Sequence, residues 1–170
     1  SLFGKVETWA PKAEIYRGGT SLLPLDSVPE GEYVSKIGSY TQGIYQQMRE
    51  RIHPDVKYSM TFKASLLDNY PDAFGKEYPV VVLSRIVIFN EETGDYRFAE
   101  VIGQSYDTLG IVPGGFKDLK LELSIGTTSA YIDKKFAVDF LIRHSFETAK
   151  PIWAEAYVAI DEVNIFRKHN

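Results

Sequence analysis

Two kinds of side chain in this sequence are suited to work at a surface: flat rings, and charged groups placed to face the same way. Trp153, Glu155 and Tyr157 stand at alternate positions, so in an extended chain all three project to one side. Rings so placed stack on the apolar C–H face of a sugar, and a neighbouring carboxylate accepts hydrogen bonds from its hydroxyls. Arg85, Asp139 and Arg143 are polar points in segments that are otherwise apolar. Two guanidinium groups together would grip a carboxylate or sulfate by paired hydrogen bonds. A second set of rings, Tyr70, Phe74 and Tyr78, surrounds Asp68, Asn69 and Asp72. The first candidate platform is therefore Trp153 with Tyr157, backed by Arg85, Asp139 and Arg143. The second is the loop from Tyr70 to Phe74.

Catalysis has less to work with. Asp139 and Glu155 fall on the polar faces of extended segments. Glycoside cleavage needs two carboxyl groups about 5–10 Å apart, so this pair qualifies only if its two strands are neighbours. With Lys63, Arg85 and Arg143 on comparable faces, a charge-balanced or sugar-binding surface is the simpler reading. Gly103-Gln104-Ser105-Tyr106-Asp107 looks like a nucleophile elbow but lacks the last glycine and the strand-to-helix context. Gly18-Gly19 and Gly114-Gly115 read as turns, not as a phosphate loop. His53, His144 and His169 show no metal-ligand spacing, and His144 reads as a partly buried sheet residue.

Positioning these groups falls to extended segments, because the dominant hydrophobic period is two. Over residues 57–67, Tyr58, Met60, Phe62, Ala64 and Leu66 alternate with Lys57, Ser59, Thr61, Lys63 and Ser65. Residues 115–126 repeat the pattern with Leu119, Leu121, Leu123 and Ile125 on one face. Residues 136–146 do so with Phe136, Val138, Phe140 and Ile142. Residues 78–89 are apolar nearly throughout and read as a central strand covered on both sides. A strand over 97–102 follows a hairpin turn expected at 92–95, where Gly94 can take positive φ. The last strand runs over 153–166 with a break near Asp161. Turn chemistry marks 27–31, 53–55, 68–72 and 112–115. Tyr45, Met48 and Ile52 stand at helical spacing, and there a short helix and a strand fit equally well. About ten strands and no capped helix predict an all-β, two-sheet antiparallel sandwich.

The chain has 170 residues, which suits one domain over 1–170. That size buries a sufficient core without a disulfide or a metal. Nineteen basic against 23 acidic residues give a net charge of −4, which argues against nucleic acid or anionic lipid as a partner. Cysteine is absent, which excludes disulfides, thiolate metal sites and cysteine nucleophiles. No apolar run approaches the ~18 residues of a membrane span, so membrane insertion is not expected. A chain opening on Ser1 reads as a mature protein or an excised module.

Four stretches, taken in order, carry a family resemblance. They are Gly4-Lys5-Val6-Glu7 with Trp9; Gly31-Glu32-Tyr33 after Pro29; Ile44-Tyr45-Gln46-Gln47-Met48 followed by Ile52-His53-Pro54-Asp55 and the strand to Phe62; and Ala156 to Ile165, with Tyr157 and Asp161-Glu162-Val163. Together they resemble the galactose-binding-domain-like jelly rolls, a superfamily that includes many carbohydrate-binding modules. The resemblance implies a jelly-roll sandwich and makes 43–52 a strand. It implies a structural calcium near the chain ends, with Glu7 and Asp161 as carboxylate ligands and loop carbonyls completing a hard-oxygen shell. The opening departs from the pattern, with Phe3 and Val6 where Asn and Phe are usual.

For function the resemblance implies first a non-catalytic carbohydrate-binding module. It would be secreted or at the cell surface, would bind a polysaccharide or oligosaccharide, and would have a covalently linked polysaccharide-degrading domain as its expected companion. An alternative is a structural or adhesion domain that binds protein through an apolar patch of interface size. A third is a small enzyme, since members of this group catalyse small-molecule cyclisation or polysaccharide cleavage. A buried carboxylate in a closed pocket would mark it.

Overall fold

The computed structural model describes residues 2–5, 14–17, 33–39, 44–88, 100–145 and 154–170. Among them are ten strands and no helix: β1 (Leu2–Lys5), β2 (Glu14–Arg17), β3 (Tyr33–Gly38), β4 (Ile44–Arg51), β5 (Val56–Tyr70), β6 (Val80–Ile88), β7 (Glu100–Gly110), β8 (Lys117–Ile125), β9 (Lys135–His144) and β10 (Glu155–His169). They form two antiparallel sheets. One has the order β2-β3-β10-β5-β8, with β1 also on β10; the other has the order β4-β9-β6-β7. The layers form a jelly-roll sandwich.

Alternation sorts each strand. On β5, Tyr58, Met60, Phe62, Ala64 and Leu66 enter the core, and on β9, Phe136, Val138, Phe140 and Ile142 do the same. Phe62 meets Phe140 edge-on with ring centroids 4.7 Å apart, and Tyr58 meets Phe136 at 5.4 Å, so each pair joins one sheet to the other. Each fully buried ring contributes about 1.5–3 kcal/mol of transfer free energy. Leu121 and Ile125 of β8 close the core, with Leu119 and Leu123 packed at its margin. On β6, Val80, Val82 and Ile86 point inward, while Val81, Leu83 and Val87 are also buried on the outer face. That is the two-sided burial its composition requires.

The segment with helical spacing is strand β4, fixed by pairing Ile44 to Phe140 and Tyr45 to Asp139. Two boundaries differ from expectation. β7 runs from Glu100 through the elbow-like stretch to Gly110 instead of stopping at 102. β5 continues through Asp68, Asn69 and Tyr70, which carry turn chemistry, because these pair with Tyr157, Ala156 and Glu155 of β10. Ladder bonds and burial outweigh local turn preference there. The turns expected at 27–31 and 92–95 lie outside the described residues. The break near Asp161 is a bulge: the ladder shifts between Asp161 and Asn164, Glu162 takes φ 50°, and the strand then runs on to His169.

Candidate functional site

The outer face of the six-stranded sheet carries the aromatic candidates. A second irregularity in β10–β5 pairing builds it. Leu66 opposes Val158 and Asp68 opposes Tyr157, which leaves Leu67 as an extra residue on β5. One extra residue inverts the faces beyond it. Tyr70, which strict alternation would send inward with Leu66, instead lies opposite Glu155 on the same face as Tyr157. The Tyr70 and Tyr157 rings meet edge-on, 6.4 Å apart at 84°. Lys36 Nζ stands 4.5 Å from the Tyr157 ring centre, a cation–π contact. Tyr157 donates its hydroxyl hydrogen bond to Glu155 Oε1. Beside the ring, Asp68 Oδ2 is shielded and has no hydrogen-bond partner. Tyr70 and Tyr157, assigned to separate platforms by sequence, thus form one. Lys36 carried no local signal, because its place depends on β3 pairing with β10.

The loop after Tyr70 is held rigidly. Asp72 Oδ1 accepts from the Phe74 and Lys76 backbone N–H groups at 2.9 and 3.0 Å, and Oδ2 accepts from the Tyr78 hydroxyl at 2.9 Å. Gly75 supplies the φ of 79° that closes the turn. Phe74 is left 85% exposed at its tip, and Tyr70 is 49% exposed at its base. Hydrogen bonds, led by the Lys76 N–H, hold the Asp72 carboxyl below its ordinary value, and Asp72 in turn pushes the Tyr78 hydroxyl up. The lowered carboxyl contributes order that is complete above the ordinary aspartate pKa and lost as pH falls through the lowered one. The raised phenol contributes order that is complete below about pH 10 and lost above it. An NMR titration will therefore show the Phe74 and Lys76 amide resonances moving together, with a midpoint below about pH 4. In Asp72→Ala this step will be absent and Phe74 will be disordered at every pH; a normal amide pattern in that variant would refute the turn's role.

Asn69 ties this loop to the rest of that end. Its Nδ2 donates to the Tyr78 and Ile111 carbonyls at 3.0 and 2.8 Å, which uses both hydrogens. Its Oδ1 therefore faces His144 Nε2 at 3.0 Å, and the imidazole is the donor. Burial pushes the His144 pKa down, which favours the neutral ring. His144 is a partly buried sheet residue, as its sequence context indicated.

The arginines lie elsewhere. β6 and β9 belong to the four-stranded sheet, so Arg85, Asp139 and Arg143 face away from Tyr157 across a core about 10 Å thick. They do not back the aromatic platform, and Asp139 and Glu155 cannot act on one bond. Tyr45, Asp139, Arg85 and Gln104 instead make one cross-strand row on that opposite face. Arg85 Nε lies 2.9 and 3.1 Å from the Asp139 oxygens, and Nη2 bonds Oδ2 as well. Asp139 is 1% exposed. Arg143 is exposed, stands opposite Val81 one row beyond Leu141, and donates to the Ile142 carbonyl. The two guanidinium groups therefore do not converge on an anion, and the fork of Arg85 already holds Asp139.

Trp153 and Glu7 lie outside the described residues. Asp161 is half-buried opposite Lys63, just before the bulge. β1 reaches β10 there, with Lys5 paired to Asn164, so the chain ends do converge. Among the described residues, no three His, Cys, Asp or Glu side chains are close enough to hold a metal; by themselves these residues do not make a calcium site.

The sequence matches no family model and no curated protein. Its fold does match solved structures. A cyclase from Fischerella sp. TAU superposes with a TM-score of 0.62 at 16% identity, covering 99% of this chain and 87% of that one. A Fischerella sp. TAU cyclase in complex with 4-(1H-indol-3-yl)butan-2-one gives 0.61 at 17% identity, covering 92% and 75%. The CBM22-1–GH10 modules of a Clostridium thermocellum endo-1,4-β-D-xylanase, complexed with xylohexaose, give 0.53 at 14% identity, covering 99% of this chain and 28% of that one. Identities this low speak for shape alone, and the shape agrees with strand order, pairing and core: the chain has the fold of a jelly-roll sandwich.

Proposed function

We propose that this domain is a non-catalytic carbohydrate-binding module that holds a polysaccharide on the outer face of its six-stranded sheet. The observation that carries the reading is the joined platform. Tyr70 and Tyr157 are in ring contact, with Lys36 over one face of the Tyr157 ring, Glu155 at its hydroxyl and the exposed Phe74 on a braced turn beyond. Stacking rings flanked by donors and acceptors suit the two kinds of surface on a sugar. The turn's bracing lowers the ordering cost of binding. The buried carboxylates Asp72 and Asp139 spend their oxygens on the loop and on Arg85, which gives both a structural role. The xylohexaose complex of a related fold supports the ligand class. We place the domain outside the cell, beside a polysaccharide-degrading enzyme.

Affinity electrophoresis tests this. The domain will be retarded in gels cast with at least one of xylan, β-glucan, mannan or pectin, and unretarded migration in all four would refute the reading. Repeating the gel and a thermal melt in chelator tests calcium at Glu7 and Asp161. Bound calcium will show as a lower Tm in chelator, restored by added Ca²⁺; an unchanged Tm removes it.

A further inference from the structure

Beyond Tyr70 the platform meets an end of the sandwich that is apolar and exposed. The 71–79 and 111–116 connections share that end, because Val80 pairs with Gly110 where β6 and β7 meet. The Asn69 side chain donates to a carbonyl in each, Tyr78 and Ile111. On the first connection Pro71, Ala73 and Phe74 are exposed, and on the second Ile111, Val112 and Pro113. Val112, 75% exposed, is second only to Phe74 among the exposed large apolar side chains described. Both connections are pinned. Asp72 braces the first. Gly114 holds the second against β5, donating its N–H to the Leu66 carbonyl at 3.3 Å and accepting from Ser65 Oγ at 2.6 Å. The same contact closes the middle of the outer face, where Ser65 and the opposing Ala159 are 2% and 0% exposed. A ligand on Tyr157 therefore finds open surface past Tyr70, toward the end, and not down the sheet.

Resting on the carbohydrate-binding reading above, we propose that this apolar end is a second contact, seated on the surface of a neutral polysaccharide in its packed, insoluble form. Three features carry this. The first is chemistry. From Ile111 to Gly115 no side chain carries a polar atom, and the Asp72 carboxyl is spent on bracing its own turn. A single dissolved glycan chain brings hydroxyls that such a surface would leave unpaired, at a cost. In a packed polysaccharide neighbouring chains pair those hydroxyls, and the C–H faces left at the surface gain by meeting apolar side chains. Lys76 and Glu77, exposed beside Phe74 and opposite in sign, add no net charge to select an anionic surface. The second is shape. Side chains that project from connections at the end of the sandwich meet a plane and enclose nothing. The third is continuity. Tyr70 belongs to the platform and borders the end, so one orientation of the domain brings both to the same material. The bracing of both connections keeps the ordering cost of that contact low. Exposed apolar groups gathered in one place mark an interaction site.

Depletion isotherms of the intact domain on microcrystalline cellulose, β-chitin and insoluble xylan, set beside retardation in gels of soluble xylan and β-glucan, test this. The wild type will partition onto at least one solid. Val112→Asp will lower that partition about tenfold, the size of losing one buried valine contact. Its gel retardation and Tm will stay at wild-type values, because Val112 is exposed and lies outside the Tyr70–Tyr157 ring contact. No partition onto any solid, a partition that Val112→Asp leaves unchanged, or equal weakening on solid and soluble glycan overturns the second contact and leaves the platform standing. Sedimentation that shows concentration-dependent pairing of the wild type, abolished by Val112→Asp, also overturns it and gives the end to a second copy of this chain. Failure to bind soluble and insoluble glycans alike overturns both readings.

Discussion

Replacing Arg85 with methionine will cost about 3–5 kcal/mol of unfolding free energy, the penalty for leaving a buried charge without its partner. The side chain of Asp139 is only 2% exposed, whereas that of Arg85 is 23% exposed. The two ends of the pair are therefore unequal. Losing the arginine strands a carboxylate with almost no access to water. Losing the carboxylate, as in Asp139→Asn, leaves a guanidinium that still reaches solvent, and will cost less. The double variant Arg85→Met/Asp139→Leu removes both charges and will recover most of the loss, because Leu83, Leu141, Val87 and Ala137 already make that face apolar and buried. Urea denaturation midpoints of the three proteins form the check. A loss below about 1 kcal/mol for Arg85→Met, in the range of exposed pairs, would show that the pair is not structural and would reopen that face as a binding site.

Tyr157→Ala will weaken polysaccharide binding about 30-fold, the effect of removing a contact worth about 2 kcal/mol at the centre of an interface. Three contacts end with the ring: the stack it offers to ligand, the edge of Tyr70, and the cation–π partner of Lys36. Tyr157→Phe keeps all three and loses the hydrogen bond to Glu155, so its affinity will fall a few-fold at most. The pair of variants therefore separates stacking from hydrogen bonding. The ring is half-buried on an outer face, so Tm will fall far less than for a core truncation such as Phe140→Ala, expected to cost about 3–5 kcal/mol. Wild-type retardation of Tyr157→Ala would remove the platform from the reading.

Much of the strand set was readable from local pattern. Tyr58 to Leu66 and Phe136 to Ile142 alternate so regularly that their inward faces follow from side-chain geometry alone. The continuous apolar run of β6 likewise announces burial on both sides. The candidate site was less accessible. Tyr157, Glu155, Tyr70 and Phe74 were each visible as rings or charges on a strand or turn. That Tyr70 joins Tyr157 was not, because the extra residue Leu67 inverts β5 just where its local signals read as a turn. Grouping Arg85 and Asp139 with Tyr157 failed for a related reason: nothing in three separate segments tells which sheet each will enter.

What the sequence alone determined is the regularly alternating strands, the inward face of each over that regular stretch, and with them a two-layer β fold, because alternation is a property of one chain segment and the solvent it meets. Only the tertiary structure decided which strands became neighbours and where the ladders slip. Pairing is chosen by backbone hydrogen bonds and core packing between segments far apart in the chain, and a single-residue slip is enough to carry a side chain from the core to the surface.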